Sequence, residues 1–355
     1  MLDDNNLEVK VYKNEFIEFE QLKIDNENKD LFEFISSLKD VNNDFINAKE
    51  SLLVNFNERS KINPYKVRSL IESIIKEEEN NFWPKKGYVI GRCKIVNLSG
   101  KGSTSNVYRA IHEFLGIEVA VKILSDDLKH NSPEIEAMFL QEAINTAKLN
   151  HPNLVSIFDA DKGEKYTYMV MEFVNGIDLE HLINNNGVLD VNEAIMIMIK
   201  LCDALSYALD NNIIHRDIKP GNIMISKNKE VKLLDLGLSK IVNNKNESEE
   251  GNIVGTPIYM SPEQFLDSSS VDHRADLYSL GATFFHLLTG MPPFKTKSYR
   301  EIITQKFVSD EFSPKLEGSN YPDKMKDIVN KLLLRDKNDR YQSYESLKYD
   351  LLLLT

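Results

Sequence analysis

Residues 215–222 read His-Arg-Asp-Ile-Lys-Pro-Gly-Asn, and Asp235 follows thirteen residues after Asn222. This short span combines a carboxylate, an ammonium, an amide and a second carboxylate. Asp217 is suited to accept a proton from a hydroxyl. Asn222 and Asp235 offer the amide and carboxylate oxygens that a hard divalent cation such as Mg²⁺ prefers. Phosphoryl transfer asks for little else: a base beside the acceptor, and oxygen ligands that hold the metal against the phosphates. Upstream runs Leu98-Ser99-Gly100-Lys101-Gly102-Ser103-Thr104-Ser105-Asn106-Val107-Tyr108. Glycines there allow backbone N–H groups to approach phosphate oxygens closely.

Such residues act only if the fold brings them together. Val119-Ala120-Val121-Lys122 alternates as a strand does, with the valines on one face and Ala120 and Lys122 on the other. Glu142 lies twenty residues beyond Lys122, in a helical stretch ahead of His151-Pro152-Asn153. Downstream come Gly255-Thr256-Pro257-Ile258-Tyr259-Met260-Ser261-Pro262-Glu263, then Asp276-Leu277-Tyr278-Ser279-Leu280-Gly281, then Asp339-Arg340-Tyr341. In this order and spacing the chain resembles the eukaryotic-like Ser/Thr protein kinase family, and its style looks like that of bacterial members.

The resemblance implies an α+β, bilobal protein kinase fold over residues 89–355. A small β-rich lobe would occupy about 89–170, and a mainly helical lobe would follow from about 175. It also implies roles. Asp217 would be the base and Lys219 would steady the γ-phosphate. Lys122 would reach the α- and β-phosphates, fixed by an ion pair with Glu142, and Asn222 and Asp235 would hold Mg²⁺. Gly100, Gly102, Ser105 and Val107 would cover ATP, with Ala120 in the adenine roof. Met171 would be the gatekeeper, Glu172 and Val174 the hinge, and Asp178 a ribose contact or a helix N-cap. His215 would be structural, packed behind Leu236. Thr256 would have a structural role near Asp217 and Lys219. Arg340 would pair with Glu263, and Asp276 would brace the catalytic loop. The chain departs from the family pattern at Ser105, where a third glycine is usual, at Ser261, where alanine is commonest, and at Cys93, a position often aromatic.

Three function classes fit such a chain: an active Ser/Thr protein kinase, a pseudokinase scaffold, and a small-molecule kinase of related fold. Lys122, Glu142, Asp217, Asn222 and Asp235 are all present, which argues against the scaffold. The Pro262-Glu263 anchor argues against the small-molecule class. Lys219 and the Gly255-Thr256-Pro257 run favour Ser/Thr over Tyr as acceptor.

Bulk properties narrow the partners. The 355 residues are 42% hydrophobic and 28% charged, values of a globular protein with a sizeable core. Residues 1–88 hold 18 acids and 13 bases, so −5 of the net −12 lies there and −7 in the remainder. That spread acidity argues against a nucleic-acid footprint. Cys93 and Cys202 match no metal spacing; Cys202 reads as a buried small hydrophobe and Cys93 as structural, in a reducing compartment. No run of eighteen apolar residues occurs, and the acidic N-terminus has no signal-peptide core, so the expectation is a cytoplasmic protein without a membrane span. Its partners would be protein substrates, with a transient dimer for autophosphorylation.

Residues 1–84 match no recognised family and read as a small mixed N-terminal module with a regulatory role. Leu7, Val9 and Val11 alternate, as do Ile17 and Phe19, with Lys13-Asn14-Glu15 as the turn of a hairpin. Leu31, Phe34, Ile35, Leu38, Val41 and Phe45 follow helical spacing. So do Val67, Leu70, Ile71, Ile74 and Ile75, after Asn63-Pro64. That second stripe predicts burial against the N-lobe near Glu142. Within the stretch from Asp235 to Glu263, Ser248 is the hydroxyl predicted to be phosphorylated and to bridge Arg216 and Lys240. Its neighbours Glu247, Glu249 and Glu250 offer the rival of a permanent carboxylate.

Overall fold

A computed structural model describes residues 7–8, 23–24 and 82–355, apart from 103, 126–127, 129–132, 237–256, 267–270, 295–298, 308–313 and 318–320. The chain divides into two units, Met1–Tyr88 and Val89–Thr355.

In the first unit, strands β1 (Leu7–Glu8) and β2 (Lys23–Ile24) pair antiparallel, with Leu7 opposite Ile24. A strand at Leu7 was predicted. The predicted Ile17–Phe19 strand and Lys13-Asn14-Glu15 turn lie outside the described residues. The rest of that hairpin and both predicted apolar stripes lie outside the described residues.

The second unit begins with a six-stranded sheet in the order β3-β4-β5-β6-β8-β7, antiparallel throughout. Its strands are β3 (Val89–Ile90), β4 (Cys93–Lys101), β5 (Ser105–His112), β6 (Glu118–Leu124), β7 (Ile157–Lys162) and β8 (Thr167–Glu172). β6 reads Glu-Val-Ala-Val-Lys-Ile-Leu and is buried from Val119 onward, as a central strand rich in β-branched residues should be. Helix α1 (Pro133–Thr146) crosses between β6 and β7 and starts with proline, whose missing N–H costs nothing at a first helical position. Phe139 and Ala143 of α1 pack with Leu124 of β6 and Met169 of β8.

A three-stranded sheet in the order β11-β10-β9 follows, from β9 (Gly176–Asp178), β10 (Ile223–Ser226) and β11 (Val231–Leu233). Between β9 and β10 lie α2 (Leu179–Asn186) and α3 (Val191–Asp210). Asp190 caps α3 by accepting from the N–H groups of Asn192 and Glu193 at 2.9 and 3.2 Å. Cys202 is buried in α3, as its apolar pattern predicted.

The remaining helices are α4 (Pro262–Leu266), α5 (Arg274–Thr289), α6 (Tyr299–Phe307), α7 (Asp323–Leu332) and α8 (Tyr344–Leu352). Of these, α5, α7 and α8 share one apolar core with α3, including Leu205, Leu280, Phe284, Val329 and Leu347. A Cβ at Gly281 would stand 2.5 Å from the Leu332 Cβ, so this glycine sets how closely α5 and α7 approach. Among the described residues no helix is long and apolar enough to cross a membrane.

Candidate active site

The β10–β11 hairpin explains the thirteen-residue spacing. Ile223 stands opposite Leu233, and the Leu234 N–H donates to the Asn222 carbonyl at 2.8 Å. Asn222 and Asp235 therefore flank the open end of one hairpin, although they are distant in sequence.

Residues 215–219 enter this hairpin from α3 under tight constraint. Arg216 adopts φ +66°, a left-handed conformation that costs a non-glycine residue about 1 kcal/mol. Asp276, fully buried in α5, holds the turn in place. Its two oxygens accept from the N–H groups of His215 and Arg216 at 2.9 and 2.7 Å, and the Tyr344 hydroxyl donates to it at 3.3 Å. Burial raises the Asp276 carboxyl, while His215 and these donors pull it back. His215 is buried, with Nε2 2.8 Å from the Leu234 carbonyl and Nδ1 accepting from the Asp217 N–H at 3.2 Å. Both ring nitrogens thus meet backbone groups, where packing behind Leu236 was predicted.

Asp217 then presents its carboxylate at the site. Lys219 Nζ donates to Oδ2 at 2.7 Å, and the Asn222 amide donates to the same oxygen at 2.9 Å and to the Asp217 carbonyl at 2.8 Å. With its amide nitrogen so used, Asn222 keeps its amide oxygen for another partner. Asp235 has φ +53°, a conformation that aspartate tolerates better than most residues. A carboxylate and an amide oxygen on either side of one hairpin end fit a Mg²⁺ ion.

Lys122 of β6 is nearly fully buried, and its Nζ lies 2.7 Å from Asp235 Oδ1 and 3.8 Å from Glu142 Oε1. Burial opposes the ammonium, but Asp235 and Glu142 together hold it above the ordinary lysine value. Burial would likewise raise Asp235, yet the Lys122 ammonium holds it below the ordinary carboxylate value. Glu142 is less well served. Burial pushes its carboxyl up to about 8, Lys122 only partly opposes this, and Oε2 is buried without a hydrogen-bond partner. A second buried carboxylate on α1, Glu136, ties the helix to the sheet through Thr167 Oγ1 and Lys162 Nζ. Sequence reasoning missed it because nothing in the spacing separates it from a solvated helix residue.

The residues predicted to bind nucleotide gather in two places. Gly100 lies in β4 opposite Val107, and Gly102 in the β4–β5 turn, where its N–H donates to the Ser105 carbonyl at 2.9 Å. A Cβ on Gly102 would meet that carbonyl oxygen at 2.9 Å, so the turn needs glycine there. Ser105 is buried and pairs with Leu124. Ala120, Met171 and Val174 form an apolar cluster with Val155, against which Val107, Phe173, Met224 and Leu234 pack. Met224 was not foreseen. It pairs with Asp178 across β9 and β10, two residues after Asn222. Glu172 pairs with Lys232 at 2.6 Å, and its backbone N–H donates to Ser156. Asp178 caps α2, accepting from the His181 N–H at 2.8 Å while its other oxygen meets the His181 ring at 2.7 Å. The predicted cap is formed. Gly237, Lys240, Ser248 and Thr256 lie outside the described residues.

A family model described as the protein kinase domain matches residues 94–352. PknB of Mycolicibacterium smegmatis, a serine/threonine-protein kinase, is 35% identical over 267 residues, covering 74% of this chain and 42% of that protein. The serine/threonine-protein kinase PrkC of Bacillus subtilis is 34% identical over 263 residues, covering 74% of this chain and 40% of that protein. The chain thus spans about two fifths of the length of these curated relatives. A crystal structure of the Mycobacterium tuberculosis PknI kinase domain superposes with a TM-score of 0.62 at 23% identity, over 77% of this chain and all of that one, which shows the shared bilobal fold. With its hairpin-borne Asn222 and Asp235, its braced Asp217 and its buried Lys122, this chain belongs to the protein kinase domain family.

Proposed function

We propose that the chain is an ATP-dependent Ser/Thr protein kinase. The observation that carries this reading is the Asp217 carboxylate, held by Lys219 and Asn222 at the end of the hairpin that delivers Asp235 to Lys122. The acceptor hydroxyl oxygen bonds to the γ-phosphorus as the bond to the β–γ bridging oxygen breaks. ADP leaves and Asp217 takes the hydroxyl proton. Lys219 neutralises charge on the transferred group, and Lys122 aligns the phosphates behind it. Asp235 and Asn222 would hold Mg²⁺, which would supply further charge neutralisation. Ala120, Met171, Val174 and Met224 offer the adenine ring an apolar slot.

The names of the relatives support Ser/Thr as the acceptor class. Free, buried Cys93 and Cys202 fit action in the reducing cytoplasm. For residues 1–84 we retain the reading of a regulatory module. Its deletion is expected to change the catalytic rate and the amide exchange around Glu142, and unchanged values would leave it as a tether.

The overall reading is tested by incubating the protein with labelled ATP, Mg²⁺ and myelin basic protein. Transfer by wild type and its loss in Lys122→Met support it. ATP binding without any transfer favours the scaffold reading.

A further inference from the structure

Helix α6 contains an unusual lysine. Lys306 is 3% exposed, yet its bonded acceptors are backbone carbonyls. Its Nζ donates to Pro257 O at 3.1 Å, to Ile258 O at 3.3 Å and to Met260 O. Three rings surround the same atom: Phe265 and Tyr278 at 5.1 Å and Phe294 at 4.9 Å from their centroids. An ammonium has three N–H donors, and here each has an acceptor. The ring faces add electrostatic attraction for a cation. Burial and the nearby Arg340 charge push the amine well below the ordinary lysine value, and Glu263 opposes them. The carbonyls and rings also favour the charged form. An aliphatic side chain would fill this space without the desolvation cost of a buried amine. The lysine therefore serves the backbone it binds.

That backbone is tied on every side. The Ser279 hydroxyl donates to Tyr259 O at 2.9 Å, so the carbonyls of all four residues from Pro257 to Met260 are held by side chains. The Tyr259 hydroxyl meets His286 Nδ1 at 2.7 Å. Gln264, just beyond, accepts from the Ser261 N–H at 2.9 Å and donates to the Arg216 carbonyl at 2.8 Å. Arg216 immediately precedes Asp217. The segment therefore abuts the catalytic loop at the residue beside the base. A protein whose hydroxyl reaches Asp217 must lay its flanking residues across adjoining surface, and the half-buried Pro257 and Ile258, backed by the buried Tyr259 and Met260, form part of it.

We infer that Lys306 is a positioning residue for the protein acceptor: by clamping the carbonyls of Pro257, Ile258 and Met260 from helix α6, it fixes the surface on which residues flanking the acceptor hydroxyl dock. The inference rests on the kinase reading above. It assigns Lys306 no contact with ATP or with the reacting atoms.

The test compares wild type with Lys306→Met, which keeps the stem and removes the donors. Steady-state phosphorylation of myelin basic protein is measured alongside ATP hydrolysis without acceptor. Lost hydrogen bonds to a charged donor predict an acceptor KM raised by about tenfold or more. The KM for ATP and acceptor-free hydrolysis should stay within about twofold of wild type. An unchanged acceptor KM overturns the inference. So does an equal fall in hydrolysis and transfer, the mark of a merely structural residue. If Lys306→Met does not fold, Phe265→Leu thins the ring cage and should raise the acceptor KM in the same selective way. An unchanged acceptor KM in that variant then overturns the inference. A wild type that transfers no phosphate removes the kinase reading itself, a distinct outcome.

Discussion

Lys122 is bonded to Asp235 at 2.7 Å, while Glu142 stands 3.8 Å from the same ammonium with its second oxygen unpartnered. Lys122 thus joins the residue that would meet the metal and the residue that reports the position of α1. Burial raises the Glu142 carboxyl from 4.5 to about 8. A folded-state value above the unfolded one favours folding while the group is protonated. The stabilising contribution is full below about 4.5 and is lost as pH rises toward about 8. Glu142→Gln cannot ionise. Its melting temperature relative to wild type is expected to rise as pH increases across that window, measured without nucleotide. A difference independent of pH would contradict the assignment.

Asp276 makes a second prediction. It satisfies two backbone N–H groups at the strained Arg216 turn from a fully buried position. Asp276→Ala strands both donors, at about 1–3 kcal/mol each. Urea unfolding should show a loss of about 3–5 kcal/mol, and turnover should fall with it because Asp217 is the next residue. Asp276→Asn retains one acceptor and should lose less. Equal losses in the two variants would contradict this, since they would show that the acceptor kept by asparagine contributes nothing there.

Arg340 and Glu263 form a two-pronged pair at 2.7 and 2.8 Å, with the arginine side chain fully buried. The same guanidinium donates to the carbonyls of Leu334, Arg274 and Arg335. Breaking a buried pair from one side costs about 3–5 kcal/mol, because the other charge stays behind. Arg340→Met should lose that much in denaturant unfolding. Adding Glu263→Gln should then cost far less than it does in wild type. Additive losses would mean that the pair is not coupled.

Arg216 bears on regulation. Its Nη2 reaches the Val271 carbonyl at 3.4 Å, and its Nε is buried without a hydrogen-bond partner. An anion brought to this guanidinium would satisfy it through charge-assisted bonds. Phosphorylation of Ser248 is the expected source. After phosphatase treatment and re-incubation with ATP, wild type should recover activity and Ser248→Ala should not. Equal activity throughout would favour a permanent carboxylate from Glu247, Glu249 or Glu250.

The catalytic centre was legible because its residues are close in sequence. Asp217, Lys219 and Asn222 sit in one loop, and a short hairpin returns Asp235 to it. β-Strand alternation gave the face that Lys122 shares with Ala120, and resemblance to a family gave its role. The Arg340–Glu263 and Asp276–His215 contacts span 77 and 61 residues, and they came only through resemblance to a family. Lys306 and Glu136 were not legible. Each is a charged residue on a helix, a pattern that ordinarily marks a solvated face. Only the packing shows that Lys306 enters a cage of rings and that Glu136 meets Thr167.

The most direct measurement incubates purified wild type and Asp217→Asn with ATP and Mg²⁺, with and without a protein acceptor, and locates phosphate by mass spectrometry. The account predicts phosphoserine or phosphothreonine in the wild-type reactions. It predicts a fall of about 10²–10⁴-fold in Asp217→Asn, the usual worth of a positioned base, with nucleotide affinity retained. Undiminished phosphorylation by Asp217→Asn would contradict it.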